Sequence, residues 1–478
     1  MTKAMLFNTE SITRTYISLV FFFVWCLYGC VTNLWDQYGY NLMHAGVEAL
    51  GERSQFHLDG SDTSKFAQIG KSEPGTGKED YTDVFRYKGN LYAMKHPGMF
   101  FLGAFVYKPM SLAGLRYERE YNLTTAIVSW LSSGLLGALV VSLLFSQALG
   151  EGLGYHGALI VAFSLGMGSL FFPYSGVLHH DFLASCMLYF AYYLSFGPQE
   201  RILRRPSRFF YAGLLAGFAF TTSAFSLLFL LPFLIAMSCA KGLKLTVFFL
   251  SGYVLGAMPL LFYDTVCFGN PFILPNQAAR DLTVIPSITL EGLWEKFQWY
   301  FISPRFALWS FCPAFYFAAF GLISRAVKGK ADSIILIGGN ILLALWALSI
   351  PTHGGASFGP RYLLAGLPFL AVGLIPVMKW LEDRRRIMRD TWRYLVWLVL
   401  GLSFAAGIVI CSSGALRGSM YGMEPHPFLY RLIIGLGLSQ SPETPGAFPL
   451  LYPIVFIASL VFYFLPKHTV RLVFPERT

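Results

Sequence analysis

The chain has 478 residues, of which 55% are hydrophobic and only 13% charged, and its formal net charge is +10. Soluble globular chains carry about 25% charged residues, so an ordinary soluble domain is excluded. The basic excess does not point to nucleic acid, because most of it gathers at the ends of apolar runs, where membrane topology requires it.

A spanning helix needs ~20 apolar residues, and about twelve such runs can be placed. They lie near 15–33, 122–147, 155–172, 180–196, 209–224, 225–240, 244–263, 306–324, 332–350, 361–379, 393–412 and 448–466. The first has Lys3 and Arg14 ahead of it, as a signal peptide would. It lacks a small-residue cleavage site and a long polar segment follows, so a retained helix is expected. The stretch 209–240 is continuously apolar apart from Thr221-Thr222-Ser223, and is divided there. The fold class expected is an all-α polytopic membrane protein with a long first extracytoplasmic loop, forming a single membrane domain over 1–478.

The loops sort by charge. Arg201/Arg204/Arg205/Arg208, Lys241/Lys244, Arg325/Lys328/Lys330, Lys379 with Arg384–Arg386, and Lys467/Arg471 fall on one side. Cytoplasmic loops retain Lys and Arg, so this side is assigned to the cytoplasm. The segments 34–121, 264–305 and 412–447 then face outward. They and the outer helix ends carry Trp35-Asp36, Lys95-His96-Pro97-Gly98, His179-His180-Asp181, Phe268-Gly269-Asn270-Pro271-Phe272 and His353-Gly354-Gly355 running to Arg361-Tyr362. Few charges fall deep inside the helices, which counts against an ion-coupled carrier. The seven cysteines are scattered, without zinc spacing.

Several of these segments, in order, resemble the GT-C superfamily of integral-membrane glycosyltransferases, and in particular the bacterial relatives of protein O-mannosyltransferases and lipid A aminoarabinose transferase. The residues that carry the resemblance are Asp36 after the first helix, the run Gly89 to Gly98 with Tyr92, Lys95 and Pro97, and Phe172-Pro173-Tyr174. Phe268 to Phe272, Ser303-Pro304-Arg305 and His353 to Tyr362 complete it. It covers the chain to about residue 370. Two departures stand out. Asp36 is followed by Gln37 where many members have a second acid, and the His-His-Asp run is not a family standard.

The resemblance implies a GT-C-like fold and transfer of a sugar from a polyprenyl-phosphate-linked donor to a lipid, glycan or protein acceptor. The place implied is the outer face of a bacterial inner membrane. Such a reaction needs cations or oriented donors for the leaving phosphate and a carboxylate to take the acceptor proton. Asp36 is the expected base, with Asp181 as the second catalytic acid. Lys95, Arg361, His353 and Arg305 are expected around the donor phosphate, with Arg280 adding charge. Tyr92, His180 and Tyr362 are expected to line the substrate. An Arg entering a membrane helix is costly unless paired or facing a polar cavity, which makes Arg361 the strongest positional signal. His179, His180 and Asp181 also raise a metal site, but adjacent histidines do not readily face one ion from a helix, and no metal or other cofactor is expected. The alternatives are a lipid-linked glycan polymerase or ligase, and a lipid or glycolipid transporter without chemistry.

Overall fold

The computed structural model describes residues 3–32, 41–61, 84–198, 206–279, 290–351, 358–383 and 391–417. Asp36, Arg280, His353 and the expected last span at 448–466 lie outside these residues.

The described chain is mostly helical. Helix α1 (Lys3–Cys30) leads to α2 (Asn41–Arg53), a hairpin of β1 (Val84–Tyr87) and β2 (Asn90–Ala93), and α3 (Gly98–Leu112). Then α4 (Tyr121–Ser129) continues through a π-helical turn into α5 (Leu135–Gly150), and α6 (Tyr155–Gly166), the short α7 (Phe171–Ser175) and α8 (His180–Phe196) follow. Next come α9 (Ser207–Thr222), α10 (Leu227–Lys241), α11 (Leu243–Phe268), α12 (Pro275–Ala278), α13 (Leu290–Phe297), α14 (Leu308–Phe311), α15 (Phe315–Val327) and α16 (Asn340–Ser349). A 3₁₀ turn over Arg361–Gly366 opens α17 (Leu367–Val372) and α18 (Leu374–Glu382), and α19 (Thr391–Arg417) is the last described helix.

Six segments are long and apolar enough to cross a membrane: Thr13–Cys30, Tyr121–Gly150, Ala224–Lys241, Leu243–Phe268, Arg361–Glu382 and Thr391–Ser412. Tyr155–Gly166, Phe315–Val327 and Ile334–Ser349 are shorter apolar helices. The structure thus gives a multi-pass helical bundle, with six long apolar crossings among the described residues beside the twelve expected runs. Part of the difference is local. The run at 306–324 is broken at Cys312-Pro313, so its helix begins only at Phe315.

The division of 209–240 is visible. Thr222 ends α9, Ser223 is extended (φ −151°, ψ 134°), and a 3₁₀ turn over Ala224–Ser226 leads into α10. The next helix, α11, runs parallel to α9, and small residues make the contact. A Cβ at Gly213 or Gly217 would strike the carbonyls of Phe249 and Tyr253, and one at Gly252 or Gly256 those of Phe210 and Leu214. This is a reciprocal small-xxx-small interface, which lets backbones approach where lipid removes the usual hydrophobic drive. Thr221 reinforces it by donating to the Gly256 carbonyl at 3.0 Å.

One end of the bundle holds a charged network. Arg325 donates to Glu151 at 2.6 Å and also pairs with Asp332, and Lys330 reaches Glu151 at 3.1 Å. Tyr192 donates to Asp332 at 3.0 Å. Nearby, the Glu382 carboxylate accepts from the N–H groups of Gly154 and Gly157 at 2.9 and 3.1 Å, capping the start of α6. Buried charges are tolerable only when paired in this way.

Candidate active site

The opposite end of the bundle gathers the chemistry-bearing motifs. The first is delivered by the hairpin. Its two-residue turn, Lys88-Gly89, has φ of 49° and 91°, the positive pair that a tight hairpin of this kind requires. Phe85 pairs with Tyr92 across the ladder. The Tyr87 hydroxyl donates to the Phe268 carbonyl at 3.3 Å, and the Tyr92 and Phe268 rings meet edge to face at 5.5 Å. Two separated sequence motifs, Gly89–Gly98 and Phe268–Phe272, are thereby joined in one aromatic cluster with Tyr263 and Cys267. Tyr92 is buried there.

Beyond β2 the chain turns through Lys95-His96-Pro97 into α3. His96 Nδ1 lies 2.9 Å from the Phe220 carbonyl near the end of α9, and since a carbonyl only accepts, that nitrogen carries the proton. Burial, with Lys95 beside it, pushes the His96 imidazole down to about 4 against the pull of that hydrogen bond. It is therefore neutral near pH 7. A Cβ at Gly98 would lie 2.8 Å from the backbone of Thr222, so only glycine permits this docking.

The His-His-Asp run opens α8. His179 is the N-cap residue, its Nδ1 accepting from the Asp181 N–H at 3.2 Å. The Asp181 carboxylate is buried; its Oδ1 accepts from the Ser223 hydroxyl at 2.8 Å and lies 3.3 Å from His180 Nε2. Its Oδ2 is buried and has no hydrogen-bond partner among the described residues.

Arg361 comes to this acid from a third direction. Gly359 has φ 70° and packs against Leu170 and Phe311, and Pro360 precedes the 3₁₀ turn that Arg361 starts. That turn is fixed to α8 by Ser185, which donates to the Ala365 carbonyl at 3.3 Å. Tyr362 is buried between Phe225 and Trp346, at ring separations of 5.7 and 5.2 Å. Among the described residues, the cations whose charge reaches Asp181 are Arg361 and Lys95, and both also reach His179 and His180.

The structure therefore brings Lys95, His180, Asp181 and Arg361 together. It places Tyr92 in the neighbouring aromatic cluster and leaves Arg305 exposed, its backbone N–H held by the Ser303 hydroxyl at 3.2 Å. Two residues at the site carry no signal of their role in the sequence. Ser223 reads only as a polar break in an apolar run. Tyr300 reads as one of many interfacial aromatics, yet its side chain is fully buried, within electrostatic reach of Tyr362 and Arg361.

His179, His180 and Asp181 offer three ligand atoms within 4.8 Å of one another. A dication there would face both Lys95 and Arg361, so the surrounding charge suits an anion better than a metal.

No protein-family model matches the sequence, and no curated protein sequence matches it. Solved structures do. ArnT from Cupriavidus metallidurans in the apo state superposes with a TM-score of 0.55 at 12% identity, covering 94% of this chain and 72% of that one. The same protein bound to undecaprenyl phosphate gives 0.53 at 13% identity over the same shares. The Archaeoglobus fulgidus oligosaccharyltransferase, tethered to an acceptor peptide with the NVT sequon, gives 0.52 at 12% identity, covering 91% of this chain and 61% of that one. Both are membrane glycosyltransferases of the GT-C fold, and this chain shares that fold.

Proposed function

We propose that the chain is a membrane glycosyltransferase that moves a sugar from a polyprenyl-phosphate-linked donor to an acceptor hydroxyl at the outer surface of a bacterial inner membrane. The acceptor is a lipid, a glycan or a protein. The observation that carries this reading is the convergence of Lys95 and Arg361, from separate elements, on the buried Asp181. Two cations beside one another repel unless anions lie among them. Asp181 is one such anion, and a lipid phosphate is the proposed second.

The reaction then divides among the residues. Lys95 and Arg361 hold the phosphate and stabilise the charge that grows on it as its bond to the sugar breaks. The forked guanidinium suits two phosphate oxygens at once. The acceptor oxygen attacks the sugar carbon, and its proton passes to a carboxylate. Asp36 is the proposed base, and Asp181 is the second carboxylate, accepting the hydroxyl's hydrogen bond at Oδ2 and aligning it. His353 and Arg305 are the proposed further donors to the phosphate, and Tyr92, His180 and Tyr362 bound the substrate. The outward direction follows from the basic loops at the opposite end. That ArnT has been solved with undecaprenyl phosphate bound supports a polyprenyl-phosphate ligand for this fold.

The test is reconstitution of the purified protein with polyprenyl-phosphate sugars and membrane extracts as acceptor source, together with the glycan and lipid species that change when the gene is deleted. Transfer that needs Asp181 and releases polyprenyl phosphate is expected. Failure to bind polyprenyl phosphate, or a protein that moves glycolipid across vesicles without breaking a glycosidic bond, overturns the reading.

A further inference from the structure

We propose that the outer end of α9, residues Phe220–Ser223, is the platform that sets the spacing between the phosphate cation Lys95 and the acid Asp181, with Ser223 and His96 as its positioning residues. The proposal rests on the glycosyltransferase reading above. It concerns residues that have no place in that reaction by themselves.

Four contacts meet within these four residues. The Phe220 carbonyl accepts from His96 Nδ1 at 2.9 Å, which ties down the residue next to Lys95. Thr222 fills the space that Gly98 leaves open, which fixes where α3 begins. Ser223 donates to Asp181 Oδ1 at 2.8 Å. The Ser226 hydroxyl donates to the Ser223 carbonyl at 2.8 Å, which holds the extended residue in place. The carbonyls at a helix C-terminus lack intrahelical partners and must find others. Here the Phe220 carbonyl finds His96, so the helix end serves as a receptor for the Lys95 segment.

The extended backbone at Ser223 is what makes the second half work. Had α9 continued without a break, Ser223 would lie on the helix surface at 100° from Thr222, and its hydroxyl would compete for the carbonyl one turn back. The break frees it to donate to another helix. Because Oδ1 is taken, only Oδ2 of Asp181 remains for substrate, and a carboxylate with one oxygen anchored presents the other in a fixed direction. Meanwhile α9 cannot slide, since its glycines are pressed against α11. One rigid element therefore holds both a cation-bearing loop and an acid-bearing helix. Neither α3 nor α8 needs to be rigid on its own.

The two arms of the platform have separate readouts. Ser223→Ala removes a hydrogen bond to a charged group and is expected to lower kcat by about tenfold or more while the donor KM stays within twofold, and Ser223→Thr is expected to restore most of it. His96→Leu leaves the Phe220 carbonyl without its donor and releases Lys95. It is expected to weaken binding of polyprenyl phosphate in detergent by about tenfold, with His96→Asn, which keeps an N–H donor, losing less. Binding is measured with polyprenyl phosphate alone, so this arm is read even if the sugar is the wrong one and no transfer is seen. If wild type binds polyprenyl phosphate but transfers nothing, the transferase reading fails while the His96 arm is still judged. The platform is overturned if His96→Leu binds polyprenyl phosphate as wild type does, or if Ser223→Ala turns over normally. It is also overturned if Ser223→Thr is as impaired as Ser223→Ala, since the hydroxyl is then not what matters.

Discussion

The Tyr174 hydroxyl donates to the Phe358 carbonyl at 3.2 Å across 184 positions of sequence, while its ring meets that of His179 edge to face at 5.0 Å. Tyr174 thus links the acid-bearing helix start to the segment that delivers Arg361. Tyr174→Phe keeps the ring and removes the donor, leaving a buried carbonyl unsatisfied. It is expected to cost about 1–2 kcal/mol of stability and to raise the donor KM several-fold. Thermal unfolding and steady-state kinetics check both; an unchanged donor KM would show that Arg361 is held without this link.

The cations are separable from the acids. Lys95→Ala and Arg361→Lys are each expected to reduce polyprenyl phosphate affinity by about tenfold or more, the second because an ammonium cannot replace a fork. Isothermal titration in detergent measures this. Wild-type affinity in both variants would remove the phosphate from this place.

Asp36→Asn is expected to abolish transfer and to leave polyprenyl phosphate binding within a few-fold of wild type, because the proposed phosphate contacts lie elsewhere. Single-turnover assays with preloaded donor give the answer. Turnover comparable to wild type would give the proton to Asp181 alone.

Orientation follows from charge. A reporter fused after Lys330 is expected in the cytoplasm and one after Gly354 outside. Paired phosphatase and fluorescent-protein fusions decide it; finding both on one side would refute this topology, and finding the two swapped would invert the face on which the site is placed.

Acid should loosen the part of the protein outside the bundle's crossings. Burial pushes His44 down to about 3, and its Nδ1 lies 2.8 Å from the Tyr117 hydroxyl; His96 stands at about 4. Both values lie below the ordinary histidine range, so the unfolded chain binds more protons. Their contribution is fully present above pH ~6.5 and is lost as pH falls, by about 2 kcal/mol each at pH 5. A fall in unfolding temperature between pH 7.5 and 5 is expected, made shallower by His44→Gln. A flat profile in wild type would show that these rings titrate in the fold as they do in the unfolded chain.

How much was legible depended on range. The division of 209–240 was readable because Thr221-Thr222-Ser223 interrupts an apolar run, and a polar break is a local signal. That Lys95 and Arg361 belong near one another came from motif order and from the cost of an arginine at a helix start. What Ser223 touches was not readable, because its partner is 42 residues away and nothing in a serine specifies an acid on another helix. Tyr300 was hidden by abundance: among 26 tyrosines, composition cannot say which is buried. The lengths of the crossings were also obscure. Apolar runs measure where lipid-compatible residues lie, whereas π-helical and 3₁₀ turns at Trp130–Gly134, Ile334–Gly339 and Arg361–Gly366 decide where regular helix begins.

The cap that Glu382 places on α6 has a consequence for synthesis. Gly154 and Gly157 leave the ribosome 228 and 225 residues before the carboxylate that satisfies them. At 5–20 residues per second the wait is roughly 10–45 s. Throughout that interval the two amides at the start of α6 have water in place of the carboxylate. The start of α6 therefore reaches its final hydrogen-bonded state only when the second half of the chain closes over the first.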